Sequence, residues 1–288
     1  MLPDNPFSAD YDTTKDAQLV ERAVGGDRSA LDALIRRHDD FVYNLALKVL
    51  GSPADAADAS QEILIKIITR LSAYDAGRAQ FRTWLYRIAF NFLLDYKKSR
   101  TEAQITSFGQ FFDFIEVVPD SEAEVAAALT HETMIKCMTG MLMCVPREDR
   151  LLYVVGDLFK VEHKLGAELF DLSLANYRKR LSRIRQQLRE WMNDRCGLVN
   201  KANPCRCAKK TRGFVDRGIV DPELLVWDKN FTHRIADFAR TNTEEALRDS
   251  DRLVRELYQN HPFQQSPDAK LLLDRLLQNS SIKKIMEL

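Results

Sequence analysis

The chain has 288 residues, enough for roughly two domains, and an apolar share of 45% that can fill real cores. Its formal net charge is zero, which gives no global pull toward nucleic acid, but from Ser173 to Thr211 eleven Lys and Arg face only Glu190 and Asp194; such a local stripe is the footprint of a nucleic-acid face. No apolar run reaches the roughly 18–20 residues that cross a bilayer, no signal peptide is visible, and five unevenly spaced cysteines fit a reducing, cytoplasmic setting better than a disulfide framework.

The periodicity is helical almost throughout. Leu31, Leu34, Ile35, His38, Phe41, Val42, Leu45 and Val49 recur at spacings of three and four, which predicts one amphipathic helix ending at Gly51. Ser52-Pro53-Ala54-Asp55 supplies a cap, a first-turn proline and a first-turn acid for the next helix, which buries Ile63, Leu64, Ile67, Ile68 and Leu71. After the loop Asp75-Ala-Gly77 a helix is expected from about Phe81 to Arg100, with Trp84 mainly in the core. Residues 101–128 read as a linker, although Phe108-Gly-Gln-Phe-Phe-Asp-Phe114 is aromatic enough to dock. Helical pattern resumes from about Glu124 to Cys144, and Pro146 opens another helix. A short helix (about 162–170), a tight turn and a long helix (about 174–193) follow, the long one with the apolar stripe Leu174, Tyr177, Leu181, Ile184, Leu188 and Trp191. Three further helices are expected in 213–288, around Val226–Phe238, from Thr243, and from Ser266.

Two stretches carry nucleic-acid chemistry. A short helix, tight turn and long helix have the dimensions of a helix-turn-helix. Ser173, Ala175, Asn176, Lys179 and Arg183 lie away from the apolar stripe as base readers, and Arg178, Arg180 and Arg185 are placed to hold phosphates. Between Tyr74 and Arg100, aromatics stand beside cations, a combination suited to single strands. Tyr74 and Phe81 flank a polar loop and are expected to meet an unstacked base, with Arg82, Arg87, Lys97, Lys98 and Arg100 nearby.

These residues carry a resemblance. Asp58-Ala-Ser-Gln-Glu62, Phe81-Arg-Thr-Trp-Leu-Tyr-Arg-Ile-Ala89 with Asn91, and Arg178-Lys-Arg-Leu-Ser-Arg-Ile-Arg185 are similar to bacterial extracytoplasmic-function (ECF) RNA polymerase sigma factors. The resemblance implies an all-α fold: an N-terminal tail (1–16), a sigma region 2 helical bundle (17–100), a flexible linker (101–128), a sigma region 4 helix-turn-helix domain (129–195), a Cys and basic turn (196–212) and a small helical C-terminal extension (213–288). It implies that Asp58, Gln61 and Glu62 bind core RNA polymerase. Lys66, Tyr74, Phe81, Arg82, Arg87 and Asn91 would serve the −10 element of promoter DNA. Ser173, Ala175, Asn176, Arg178, Lys179, Arg180 and Arg183 would serve the −35 element. The chain departs from the family at Leu165-Gly166-Ala167, where Glu-Ile-Ala is usual; Gly166 weakens that helix by about 1 kcal/mol relative to Ala. An anti-sigma factor, or self-inhibition by the extension, is the expected control, and no membrane insertion is expected.

Cys196, Cys205 and Cys207 lie within twelve residues, with Asn-Pro and Gly turn-formers between them. Zn²⁺ or Cu(I) held by these thiols is one reading, with Cys137, Cys144, His163 or His233 as a fourth ligand. Thiols activated for redox sensing by nearby cations are a second, and a packed turn of inert thiols a third. No cofactor is required for the sigma reading, and no catalytic set is visible. A helix-turn-helix regulator acting without polymerase would explain 146–193 but leave 54–100 unexplained. A metal- or thiol-responsive sensor is the other alternative.

Overall fold

The computed structural model describes residues 5–8, 10–98, 102–103, 107–225, 250–259 and 263–266. Every regular element among them is helical. In chain order these are α1 (Thr13–Val24), α2 (Arg28–Arg36), α3 (Asp39–Leu50), α4 (Pro53–Thr69), α5 (Phe81–Asp95), α6 (Phe108–Val117), α7 (Ala127–Met143), α8 (Arg147–Tyr153), α9 (His163–Leu169), α10 (Leu174–Arg195), α11 (Cys207–Asp216) and α12 (Ser250–Gln259). A π-turn, Val154–Leu158, continues α8. Contacts divide the chain into two compact units, one drawn from residues 1–97, 161–174 and 263–288, the other from 98–160 and 175–262.

In the first unit α3 is buried along almost its whole length and packs on α4, while α1 pairs with α2. The single helix expected over 31–49 is two. Arg37 and His38 break it, because the His38 ring is drawn wholly inside against Asp16 of α1. His38 Nε2 lies 3.2 Å from Asp16 Oδ2 and from the Tyr11 hydroxyl; that hydroxyl and Arg37 Nε donate to Asp16 Oδ1 at 2.8 Å. Four polar groups thus bond to one another at a helix junction, with His38 Nδ1 left over, and a hydrophobic period cannot announce this. The described residues of the N-terminal tail expected over 1–16 belong to this unit: Phe7 is buried 4.5 Å from the Tyr86 ring, and α1 starts at Thr13 behind the Asp12 cap. The cap at Ser52 and the left-handed stop at Gly51 are as the sequence predicts.

A short piece of the C-terminal extension also belongs to this unit. Asn44, fully buried on α3, accepts from the Gln264 amide (2.9 Å) and donates to the Gln264 carbonyl (2.6 Å). The Ser266 amide donates to Asp40 Oδ1 at 2.7 Å, and the Phe263 ring lies 4.8 Å from that of Phe41.

In the second unit the expected linker holds α6. Its Phe108, Phe111, Phe112 and Ile115 are buried, and Phe108 and Phe112 stack on Trp191 at 5.5 and 5.9 Å. Gly140 on α7 makes room for this helix; a Cβ there would lie 2.5 Å from Phe111 Cε2. Arg150, 1% exposed, donates to the carbonyls of Leu142, Met143 and Val145 at the end of α7 (2.8–2.9 Å) and pairs with Glu102 at 3.2 Å. The stripe of α10 buries Tyr177, Leu181, Ile184, Leu188 and Met192. Met192 takes the place expected for Trp191, one step round the helix, and Leu174 is exposed. Gly156 in the π-turn lets Tyr177 and Leu181 come within 2.8–2.9 Å of where a Cβ would stand. On α12 the residues Val254, Leu257 and Tyr258 are buried, and the Tyr258 hydroxyl donates to the Met138 carbonyl. The helices expected around Val226–Phe238 and after Ser266, and the start at Thr243, lie outside the described residues.

Candidate nucleic-acid interface

On α4 the buried face is Ala56, Ala59, Ser60, Ile63, Leu64, Ile67 and Ile68. Asp58, Gln61 and Glu62 project from the other side and are all exposed. Spacings of three and four put these three on one helical face, so the surface is acidic, polar and free of apolar bulk. Its negative field reaches Tyr96 at the end of α5. Burial first, then Asp55, Asp58 and Glu62, hold the proton on that hydroxyl.

Beside this face α4 and α5 enclose a groove of about 560 Å³ lined by Lys66, Arg70, Ile88, Asn91, Phe92, Asp95, Tyr96 and Lys97. Lys66 Nζ stands 5.5 Å over the Phe92 ring, and Lys97 Nζ stands 5.8 Å from that of Tyr96. Asn91 is exposed on its wall. Cations interleaved with aromatic faces can hold a phosphate and stack a base together.

The other residues expected to serve an opened strand are not all presented. Phe81 is 3% exposed, packed between His38 and Tyr74 with ring centroids 5.5 Å from each, so it belongs to the core and offers no face to a base. Helix position explains this: Phe81 begins α5 in register with the buried Leu85 and Ala89. Tyr74 is half-buried, its hydroxyl donating to the Ala79 carbonyl at 2.9 Å. Trp84 is also half-buried, 5.5 Å from Tyr74. Arg82 donates to the Pro6 carbonyl (2.9 Å) and to Gln80. Arg87 donates to the Glu168 carbonyl at 2.6 Å.

On α10, Ser173 just ahead of the helix and Ala175, Asn176, Arg178, Lys179 and Arg183 on it are all exposed. Arg180 and Arg185 are not free to hold phosphates as expected. Arg180 is committed to Glu148 (2.7 Å) and Asp149 (2.5 Å), and Arg185 to Asp157 (2.7 Å). The rest of the basic stripe is partly neutralised: Arg195 pairs with Glu116, Lys209 with Glu122, and Lys210 with Asp120. The readable positive surface of this helix therefore narrows to Arg178, Lys179 and Arg183. The turn before the helix is closed by the Leu172 amide on the Ala167 carbonyl (2.9 Å), with Asp171 in the left-handed region at φ 54°, a conformation Asp tolerates better than most residues.

The cysteine turn is built by side chains bonding to main chain. Asn200 and Asn203 donate to the Asn193 carbonyl (3.1 and 2.8 Å), and Arg206 donates to the carbonyls of Lys201, Asn203 and Cys205. A Cβ at Gly197 would lie 2.0 Å from the Cys205 carbonyl oxygen, so only glycine fits there. At these thiols burial outweighs the neighbouring cations Arg206 and Lys210, which were expected to activate them. It pushes Cys196 up to about 11 and also raises Cys137, Cys205 and Cys207. Among the described residues no three His, Cys, Asp or Glu side chains gather as a metal-holding group. No helix among the described residues is long and apolar enough to cross a membrane.

Residues 34–102, which contain both the acidic face and the groove, match the sigma-70 region 2 family. The chain is 29% identical over 172 residues to the ECF RNA polymerase sigma factor SigE of Mycolicibacterium smegmatis, covering 58% of this chain and 64% of that one. It is 30% identical over 129 residues to BldN of Streptomyces coelicolor, covering 44% and 48%, and 22% identical over 180 residues to SigW of Bacillus subtilis, covering 61% and 95%. Residues 34–102 are thus a sigma-70 region 2, and over a longer stretch the chain is similar to ECF sigma factors. It spans under two thirds of the SigE and BldN relatives and most of the SigW one. The region 2 match takes in α3, α4 and α5, so the exposed acids of α4 and the cationic groove lie in the matched part of the chain.

Proposed function

We propose that this chain joins core RNA polymerase and directs promoter-specific transcription initiation. Asp58, Gln61 and Glu62 contact the polymerase. Lys66 and Asn91, with the groove they line, take the −10 strand as it opens, together with Tyr74. Ser173, Ala175, Asn176, Arg178, Lys179 and Arg183 read the −35 duplex. The observation that carries the reading is the acidic face of α4 standing beside a cationic, aromatic groove within the matched region. A polymerase surface and a single-strand surface are both required of such a subunit, and a simple duplex-binding regulator requires neither. The setting is cytoplasmic, and control is exerted by an anti-sigma factor or by the chain's own extension.

The test is run-off transcription of a genomic fragment library with core polymerase, with and without the chain. Discrete new start sites are expected with the chain and are lost with Glu62→Lys, which leaves folding intact because Glu62 is exposed. Duplex DNA binding without any new start site would favour a regulator that acts apart from polymerase.

A further inference from the structure

Four of the five cysteines share one neighbourhood in the second unit, although they come from four places in the chain. Cys137 is on α7, Cys196 directly follows α10, Cys205 lies in the turn and Cys207 opens α11. Helix α11 packs on α7. Gly197 leaves no room for a Cβ against the Cys205 carbonyl, so the end of α10 and the turn touch. Asn203 ties the same two pieces by donating to the Cys196 carbonyl at 3.3 Å. Cys137 feels the thiols of Cys196, Cys207 and Cys205, and Cys207 feels those of Cys196 and Cys205. From α12 the fully buried Tyr258 closes the group, bonded to the Met138 carbonyl and near Cys137 and Cys196.

The surroundings suit thiolates that share a cation. Burial raises all four thiols, and at Cys137, Cys196 and Cys207 the neighbouring thiols raise them further. A soft dication removes both penalties by displacing the protons. The amides of Leu198 and Val199 are directed at the Cys196 sulfur, and such bonds favour its anion. Four thiolates around a dication leave two negative charges. Arg206, beside Cys196, Cys205 and Cys207, and Lys210, beside Cys205, supply two positive ones. A cleft of about 320 Å³ reaches Cys205 from outside, with Glu116, Asp120 and Asp194 on its walls to draw a cation in. No three of these side chains stand at ligand distance from one point as placed. Cys137, Cys205 and Cys207 are only half-buried, however, and have other staggered wells to turn into.

We infer that Cys137, Cys196, Cys205 and Cys207 form a closed four-thiolate site for one Zn²⁺, completed as the metal binds. Cys137 is the fourth ligand because α11 brings Cys207 onto its helix. Cys144 is excluded, its thiol donating instead to the Gly140 carbonyl of its own helix at 3.5 Å. The bound ion pins the end of α10, the turn and α11 to α7, a structural duty typical of four-cysteine zinc.

The experiment uses the whole chain, purified under reductant and stripped with a chelator. Zn²⁺ is titrated with a pH indicator present, and Co²⁺ serves as the spectroscopic probe. The expected result is one Zn²⁺ per chain with release of roughly four protons. Cobalt should show thiolate charge-transfer absorption and the visible bands of a tetrahedral site, and hydrogen exchange across α11 should slow. Cys205→Ser and Cys137→Ser should each weaken Zn²⁺ binding at least about hundredfold, the upper end of what a lost outer-shell partner costs, while Cys144→Ser should not. Should Cys137→Ser fail to fold by circular dichroism, alkylation of the parent chain, read at each cysteine by mass spectrometry, must show Cys137 protected by Zn²⁺. Less than one equivalent bound, an octahedral cobalt spectrum, or a Cys137 indifferent to Zn²⁺ overturns the inference, as does uptake of Cu(I) with refusal of Zn²⁺. None of these readouts involves transcription, so their failure leaves the sigma reading standing.

Discussion

Arg185 of α10 holds Asp157 through three hydrogen bonds, from Nε to both carboxylate oxygens (3.1 and 2.8 Å) and from Nη2 to Oδ1 (2.7 Å). Asp157 sits in the π-turn and is 2% exposed, so its charge depends on this one arginine. Arg185→Ala should therefore cost about 3–5 kcal/mol in urea unfolding, the range for stranding a buried charge. Arg183→Ala, two residues earlier and exposed, should change stability by less than about 0.5 kcal/mol while weakening duplex DNA binding. Equal stability losses would refute the division of labour between these arginines.

The network around Asp16 has a signed pH dependence. Burial alone would raise the Asp16 carboxyl, but hydrogen bonds and charge from His38, with bonds from Arg37 and Tyr11, bring it below the usual value. A depressed folded value means the network stabilises the fold above the unfolded value of about 3.9 and loses that contribution as pH falls through the folded one. Asp16→Asn should be less stable at neutral pH and show a flatter acid limb. Parallel stability curves for the two proteins from pH 7 to pH 3 would count against it.

Gly140→Ala puts a methyl 2.5 Å from Phe111 Cε2, inside a buried aromatic cluster. Overpacking of this kind costs about 1–3 kcal/mol. The loss should be local: protease sensitivity should rise across α6, whose docked face meets the new methyl, before it rises in α4. Ala at Gly109, where the nearest side-chain atom is 3.9 Å away, is the control.

Thiol chemistry separates inert from sensing cysteines. With Cys196 raised to about 11 by burial, little thiolate exists near neutrality. Alkylation of the folded chain at pH 7.5 should be much slower than in urea and should accelerate as pH approaches the folded value. The same raised value means Cys196 favours the fold below the unfolded thiol value of about 8.5 and ceases to do so as pH rises through about 11. Rapid alkylation of Cys196 at neutral pH in the folded chain would restore the sensing reading.

The helices of the first half were legible because each rule acts locally: Gly51 stops α3, Ser52 caps α4, and the spacing of Asp58, Gln61 and Glu62 places them opposite the apolar face. What sequence pattern missed was set by partners distant in the chain. His38 interrupts a continuous apolar period only because Asp16 awaits it, and Phe81 looked like a loop aromatic until His38 and Tyr74 enclosed it. Arg180 and Arg185 read as phosphate holders because Glu148, Asp149 and Asp157 lie roughly thirty residues earlier, beyond any helical period. The aromatic run at 108–114 did signal docking, but its Trp191 partner was not deducible from spacing.

The hold of Asn44 on residue 264 has an evolutionary corollary. Its carboxamide meets the amide and carbonyl of Gln264, and Asp40 Oδ1 meets the amide of Ser266. These main-chain bonds exclude proline, which lacks the N–H, at both positions, while the Tyr43 hydroxyl on Gln264 Oε1 (3.4 Å) and the Phe263 ring on Phe41 add contacts that depend on side chains. Residue 266 is therefore freer to drift than Phe263 and Gln264, whose side chains also meet α3.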